Sequence, residues 1–222
     1  MTALLVAGTI ILFLVIDWAV RRQKEKVLEP QRATQAMDGA YPIRVPNGIF
    51  FAKSHTWVNL FPSGKVQLGL DDLVGRVLLK PEILFLKQEG DKVEKNDPIL
   101  ALVEGERRLT VRSPISGEIL SVNQGLKEHP QLMRESLFSQ GWAFSIQPTR
   151  PEELRAMALG SESLNWMQEE FRRLREFLAG FVAGAGQPIL ALQDGGAPAS
   201  GALEHLDAAA WQRFEDDFLN VK

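Results

Sequence analysis

Three sets of side chains in this sequence could take part in proton transfer or charged binding: His55, the pair Asp71 and Asp72, and the charged run 104–108. A histidine acts as a general acid or base when a nucleophile or a second acid lies within hydrogen-bonding reach. The sequence near His55 offers neither, so we interpret His55 as a structural residue at the start of a strand. We interpret Asp71 or Asp72 as the N-cap of a short helix, a contact worth about 1 kcal/mol.

Several other kinds of site are excluded by what the sequence lacks. It contains no cysteine, which excludes disulfides, thiolate metal ligands and cysteine nucleophiles. The three histidines show neither HxH nor HExxH spacing, and no phosphate-binding glycine loop or GxSxG motif is present. The formal net charge of −3 does not favour binding to nucleic acid. We therefore predict no catalytic residue, no metal site and no nucleic-acid partner.

The charged run 104–108 lies between two segments that alternate in the manner of strands, 99–103 and 109–111. A polar turn containing Gly105 separates them, and this pattern predicts a β-hairpin. A Pro-Ile-Ser-Gly corner follows at 114–117. The tip of such a hairpin holds its side chains out in solvent, so the residues at the tip decide what the hairpin can present.

Short strand-like runs separated by Pro, Gly, Asn and Asp fill the stretch from Tyr41 to Gln147. This spacing predicts a compact β-rich sandwich or barrel. Short helices are predicted at 71–74 and 132–138. The predicted strands are 49–51, 57–60, 66–70, 77–79, 83–86, 99–103, 109–111, 117–122 and 143–146.

Residues 3–20 are almost continuously apolar, which is roughly the length that crosses a bilayer core. Trp18 lies near the end of the run, and four basic residues follow between 21 and 26. No basic segment precedes the run and no small-residue cleavage site follows it, as a signal peptide would require. We predict a single-pass anchor at 1–22, with the N-terminus outside, the soluble domain cytoplasmic, and a juxtamembrane linker at 23–44. The alternatives are a buried core helix and a signal peptide.

The C-terminal part of the chain, 159–222, is predicted to be a helical extension. Apolar residues spaced 3 and 4 apart predict one amphipathic helix, and a last helix is predicted at 202–219. The apolar side chains involved are Leu164, Met167, Phe171, Leu174, Leu178 and Phe181 in the first helix, and Trp211, Phe214 and Phe218 in the second. Two interpretations stay open: an appendage packed on its own domain, or a docking surface for partner subunits.

Several segments together resemble the H protein of the glycine cleavage system. They are FAKSHTWV (51–58), VQLGLDD (66–72), EGD (89–91), SPISGE (113–118) and GW (141–142), in the order and with the spacing of that family. The similarity covers about residues 48–158. It implies a lipoyl-type β-sandwich, or barrel-sandwich hybrid, with short helices, and we assign this domain to 45–158.

The resemblance also implies a lysine at the hairpin tip, eight residues before the proline of the Pro-Ile-Ser-Gly corner, where lipoate is attached through an amide. That position is Glu106, and no lysine occurs between Asn96 and Gln124. A glutamate cannot form this amide, and neither can the guanidinium of Arg107. The same reasoning excludes biotin. We therefore predict that the chain has no cofactor.

Together these features predict a non-enzymatic, membrane-anchored, H-protein-like module that serves as an accessory or scaffold subunit of a membrane-associated, redox-type complex. The predicted partner contacts are Glu104, Glu106, Arg107 and Arg108 at the tip, and the apolar residues of the helical extension. The alternative is a lipoyl or aminomethyl carrier that is modified at Lys92 or Lys95 and serves a membrane oxidoreductase. A third hypothesis is a small-molecule sensor that uses the groove between hairpin and core.

Overall fold

The computed structural model describes residues 34–36, 42–182, 192–193, 197–198 and 200–220. All of them belong to the unit Arg32–Lys222. The predicted anchor, 1–22, lies outside the described residues, as does most of the predicted linker. Within the described ranges, no helix combines the length and the apolar character needed to cross a bilayer.

The fold is mainly β, and every pairing between the described strands is antiparallel. The strands are β1 (Thr34–Ala36), β2 (Pro42–Arg44), β3 (Ile49–Ala52), β4 (Thr56–Leu60), β5 (Val66–Leu70), β6 (Glu82–Phe85), β7 (Lys92–Val93), β8 (Pro98–Glu104), β9 (Arg107–Arg112), β10 (Gly117–Val122), β11 (Trp142–Pro148), β12 (Ala158–Leu159), β13 (Leu192–Gln193) and β14 (Ala197–Pro198). The main sheet has seven strands in the order β12-β3-β4-β5-β11-β10-β7. A second sheet has the order β6-β8-β9, and two further pairs are β1-β2 and β13-β14.

The helices are short except for one. They are α1 (Asp72–Val77), α2 (Gln124–Glu128), α3 (Leu132–Glu135), α4 (Ser161–Val182) and α5 (Ala208–Phe214), with 3-10 turns at Pro151–Ala156 and Ala202–His205 and a π-helical turn at Glu215–Leu219. The 22-residue α4 coincides with the helix predicted from the apolar spacing. Short helices of one or two turns depend on tertiary packing because nucleation of an isolated helix is unfavourable.

The predicted β-sandwich is confirmed, and most predicted strands lie within a few residues of the observed ones. The predicted strand 77–79 is wrong. The side chain of Asp71 accepts hydrogen bonds from the backbone N–H groups of Leu73 and Val74, which confirms its predicted role as an N-cap. The helix that begins there ends at Val77, and the backbone N–H of Leu79 donates to Oε1 of Glu204 rather than to a neighbouring strand.

The predicted helix 202–219 is divided into three pieces. The 3-10 turn Ala202–His205 ends before Asp207, whose side chain accepts a hydrogen bond from the backbone N–H of Ala210 and starts α5 anew. Aspartate favours the N-cap because its carboxylate satisfies N–H groups that lack a partner within the helix. One predicted helix therefore becomes a bend that turns the chain toward the hairpin.

A single hydrophobic core includes residues from both sheets and from the helical extension. Trp57, Phe144 and Ile119 of the sheets are buried in it, together with Leu174 of α4 and Trp211 of α5. The assignment of 45–158 and 159–222 to separate domains stays a prediction of the sequence. In the structure, the extension is packed on the sandwich rather than standing apart from it.

The Pro-Ile-Ser-Gly corner ends where β10 begins against β11. A Cβ at Gly117 would lie 2.5 Å from the backbone oxygen of Gln147. This separation is too short for any side chain, so only glycine allows the two strands to approach here. The corner fixes the exit of the hairpin from the second sheet into the first.

Candidate functional site at the hairpin tip

Strands β8 and β9 form the predicted hairpin, and Glu104 pairs with Arg107 at its end. Gly105 and Glu106 form the turn, and Gly105 has a φ of +61°, a conformation that glycine adopts without steric cost. Both turn residues are exposed. Glu106 therefore lies at the tip, at the position that the resemblance assigns to the lipoyl lysine.

Arg107 beside the tip binds the chain's own C-terminal segment. Its Nη1 donates hydrogen bonds to the backbone oxygens of Glu204 at 2.7 Å and Leu206 at 2.8 Å. The guanidinium lies 4.9 Å from the ring centroid of Trp211, which is a cation–π distance. We call these contacts of Arg107 with Glu204, Leu206 and Trp211 the hairpin clamp. The clamp fixes the hairpin just after its turn.

The same C-terminal segment covers the outer edge of β9. The backbone N–H of Thr110 donates to Oε2 of Glu215 at 2.7 Å, and Nε of Arg112 donates to Oδ1 of Asn220 at 2.8 Å. An uncovered edge strand offers unpaired backbone groups to other chains. Here a carboxylate takes one of those groups, so this edge is closed by the chain itself.

Two carboxyl groups meet at the hairpin clamp. Glu204 accepts a hydrogen bond from the backbone N–H of Leu79 at 2.8 Å. Partial burial of Glu104, together with the negative charge of Glu204, raises the pKa of the Glu104 carboxyl above its ordinary value, and Arg107 opposes the shift. Of the predicted tip contacts, Glu106 and Arg108 are exposed, whereas Glu104 and Arg107 are partly buried.

Lys92 and Lys95 are exposed, and they lie near the other end of the hairpin. Lys92 is in β7, and Lys95 lies in the turn before β8, where its backbone N–H donates to Oγ of Ser116. The seven residues of β8 span roughly 20 Å from that end to the tip. Neither lysine shares the position of Glu106.

A second polar cluster is buried between the sandwich and α4. His55 Nδ1 lies 2.7 Å from Oδ2 of Asp71, and His55 Nε2 lies 3.3 Å from Oε2 of Glu170. Arg173 donates from Nη1 to both Glu170 oxygens at 2.7 Å, and Trp166 stacks on the imidazole at 5.2 Å. We call His55, Asp71, Glu170 and Arg173 the buried ion network.

Burial by itself would lower the pKa of His55, but the charges and hydrogen bonds of Asp71 and Glu170 outweigh it and raise the pKa to about 9. An imidazole with a carboxylate at each nitrogen can donate to both of them when it is protonated. Burial of Glu170 acts to raise its pKa, yet His55 and Arg173 lower it overall. The network therefore holds charged groups that neutralise one another.

His55 and Asp71 are fully buried, so the geometry suits a structural contact better than proton exchange with a substrate. Asp72, the other member of the acidic pair, forms ion pairs with Arg44 at 2.5 Å and Arg76 at 2.8 Å. In the described part of the chain, no group of three or more His, Asp or Glu side chains is arranged to hold a metal ion.

The apolar residues predicted to meet partners lie in the chain's own interior. Leu164 and Phe181 are partly buried against the core. The fully buried ones are Met167, Phe171, Leu174, Leu178, Trp211 and Phe214. Because these side chains are occupied by contacts within the chain, the structure supports the interpretation of the extension as an appendage packed on its own domain.

The antiparallel sandwich with its β8–β9 hairpin defines a lipoyl-domain-like module. The Glycine cleavage H-protein family matches residues 49–170, more than half of the chain, and the chain belongs to that family. The resemblance found in the sequence motifs is thereby confirmed. The match ends within α4, so the hairpin clamp's C-terminal residues lie beyond it.

The chain is similar to several individual proteins. The mitochondrial glycine cleavage system H protein of Pisum sativum is 32% identical over 126 residues, which are 57% of this chain and 76% of the relative. The probable H protein of Thermococcus kodakarensis is 30% identical over 111 residues, covering 50% and 81%. The crystal structure of the Mycobacterium marinum H protein aligns with a TM-score of 0.41 at 21% identity, covering 52% of this chain and 89% of that one.

Proposed function

We propose that this chain is a non-catalytic H-protein-like module that acts as an accessory or scaffold subunit of a membrane-associated complex, rather than as a lipoyl carrier. The main support is Glu106, which stands at the exposed turn position that the family resemblance assigns to the modified lysine. Attachment of lipoate requires an amine at this point, and a carboxylate cannot replace it.

The hairpin clamp supports the same proposal. A carrier delivers its group by letting the attachment point meet successive partners. Here Arg107, the residue after the tip position, is bound to two backbone oxygens of the chain's own C-terminal segment. A tip fixed in this way suits a permanent contact surface, with Glu106 and Arg108 as its exposed charges.

The membrane part of the proposal rests on the sequence. The apolar run 3–20, followed by basic residues, supports a single-pass anchor with the described domain in the cytoplasm. We propose a redox complex as the host because domains with lipoyl-type folds usually occur together with redox enzymes. Fractionation should leave the full chain in membranes after alkaline washing and release a variant lacking residues 1–22. Release of the full chain would contradict the anchor.

Intact-mass spectrometry tests the loss of carrier function. The chain is co-expressed with a lipoyl-attaching enzyme, alongside the Pisum sativum H protein as a control for the attachment reaction. We expect the control to gain the mass of a lipoyl group and this chain to keep its unmodified mass. A lipoyl increment on any lysine of this chain would overturn the proposal.

Native electrophoresis of solubilised membranes tests the scaffold role. We expect the chain to migrate with other subunits in a band well above its own mass of 24.8 kDa, and mass spectrometry of that band identifies them. The measurement should be repeated in two detergents. Migration of the chain by itself in both would contradict a scaffold function.

A second candidate function is a carrier that uses an atypical lysine, which the exposure of Lys92 and Lys95 favours. It predicts a lipoyl increment that disappears in the variant Lys92→Ala/Lys95→Ala. The same mass spectra therefore separate the two functions without a further assay.

A further inference from the structure

A groove of about 500 Å³ lies beside β6, between that strand and the end of β10 with α2. Its apolar lining comes from Leu84, Phe85 and Val122, and its charged rim includes Lys87 and Lys127. We call it the β6 groove. It belongs to neither the hairpin clamp nor the buried ion network.

The two edge strands of the second sheet, β6 and β9, differ in whether other residues of the chain bind to their outer edges. The edge of β9 is closed by Glu215 of the C-terminal segment. At the other edge, β6 pairs with β8 and with no second strand of the described chain. The outer edge of β6 therefore has no strand partner among the described residues, and such an edge is where many domains bind extended peptides.

The rim of the β6 groove is basic. Among the described residues that line it, Glu89 is the single carboxylate, against the two ammonium groups of Lys87 and Lys127. Neither lysine is ion-paired with a described residue. Both lysines line the same groove as Leu84 and Phe85 of β6, so acidic side chains on a strand bound there would complement them.

We propose that the β6 groove binds an extended acidic segment of a partner subunit, which adds to β6 as a fourth strand of the second sheet. Backbone hydrogen bonds to the four residues of β6 provide the affinity, and Lys87 and Lys127 select carboxylate side chains. This inference deepens the scaffold function proposed above and rests on it, because it names the surface through which a partner is held.

Fluorescence anisotropy with the full chain in detergent micelles tests the inference with labelled eight-residue peptides. The probe alternates valine and glutamate. One comparison peptide alternates valine and lysine, and another replaces two valines of the probe by proline, which cannot donate backbone hydrogen bonds. We expect saturable binding of the probe and at least tenfold weaker binding of both comparison peptides. Absence of saturable probe binding, or equal binding of the proline peptide, would overturn the inference.

Charge reversal locates the site. The variant Lys87→Glu/Lys127→Glu should bind the probe about tenfold more weakly, since two attractions become repulsions. The matched variant Lys53→Glu/Lys95→Glu makes the same change of charge at exposed lysines outside the groove and should bind normally. Equal weakening in both variants would show a bulk charge effect and overturn the site.

Hydrogen exchange gives a second measurement that needs no variant. Bound probe should protect backbone amides of β6 (Glu82–Phe85) from exchange, and protection confined to other strands would overturn the proposal. If the probe peptide does not bind while the chain still migrates with other subunits, the β6 groove is not the binding surface and the scaffold function remains supported. If the chain migrates by itself, the scaffold function is what fails.

Discussion

The buried ion network and the hairpin clamp both fasten the C-terminal part of the chain to the β-sandwich, but they do so with different chemistry. His55 and Asp71 in the network are fully buried, and the charge of His55 depends on the protonation of its imidazole. Arg107 in the clamp is partly exposed, permanently charged, and bound to neutral backbone oxygens. The network should therefore govern stability and its pH dependence, and the clamp should govern the position of the tip.

The largest effect is expected from removal of Asp71. The variant Asp71→Ala leaves His55 with one carboxylate and α1 without its cap, and should lose about 3–5 kcal/mol of unfolding free energy. Asp207→Ala is the matched control, because Asp207 also caps a helix but has no buried histidine partner, and it should lose about 1 kcal/mol. Urea unfolding followed by tryptophan fluorescence measures both. Equal losses would show that the network adds nothing beyond the cap.

A pH titration of stability sharpens the contrast. The pKa of His55 is raised from 6.5 to about 9, so its stabilising contribution is complete below pH 6.5 and disappears as the pH rises through 9. Unfolding free energy should fall by about 3 kcal/mol over that window. His55 has a φ of +57°, which asparagine tolerates, so the variant His55→Asn should show a flat profile there. An unchanged slope in that variant would assign the titration to another group.

The buried ion network could be predicted only in part from the sequence. His55 and Asp71 were each predicted as structural residues from local context, but their link to Glu170 was not. Glu170 lies 115 positions from His55, and local pattern contains no information about which helix covers a turn. One signal was present: Glu170 is three residues after Met167 and four before Leu174, and so falls on the buried stripe of α4.

The hairpin, unlike the link between His55 and Glu170, could be predicted from residues that are close together in the sequence. Its strands follow from alternation and its turn from Gly105, and both are local properties. The position of Glu106 at the tip followed directly. The clamp could not be foreseen, because Arg107 meets Trp211 only through the bend that Asp207 introduces into a segment predicted as one continuous helix. Asp207 interrupts that segment by capping a new helix, and the helix capped by Asp71 takes up Val77, the first residue of the predicted strand 77–79.

The clamp itself should show a smaller effect than the network. Arg107→Ala removes two charge-assisted hydrogen bonds and a cation–π contact at a partly exposed site, which should cost about 2 kcal/mol. Arg108→Ala removes the neighbouring exposed charge and should change stability by less than about 0.5 kcal/mol. Hydrogen exchange of Gly105 and Glu106 should accelerate in the first variant alone. Equal exchange in both would mean that the clamp does not fix the tip.

The smallest effect is expected at the covered edge of β9. Glu215→Gln keeps an acceptor for the Thr110 N–H but removes its charge, which should cost about 1 kcal/mol. Glu118→Gln makes the same change at an exposed side chain and should be neutral. Urea unfolding compares the two variants. An unchanged unfolding free energy in Glu215→Gln would show that the charge of Glu215 is not needed to close the edge of β9.

The closure of β9 also has a consequence for the order of events during synthesis. Thr110 and Glu215 are separated by 105 positions, and a ribosome adds roughly 5–20 residues per second. The hairpin therefore exists for about 5–20 s before the residue that covers its edge has been made. During that interval two nascent chains on one messenger could pair edge to edge. A slow translation step late in the message would lengthen this exposure, whereas rapid completion of the last segment would end it.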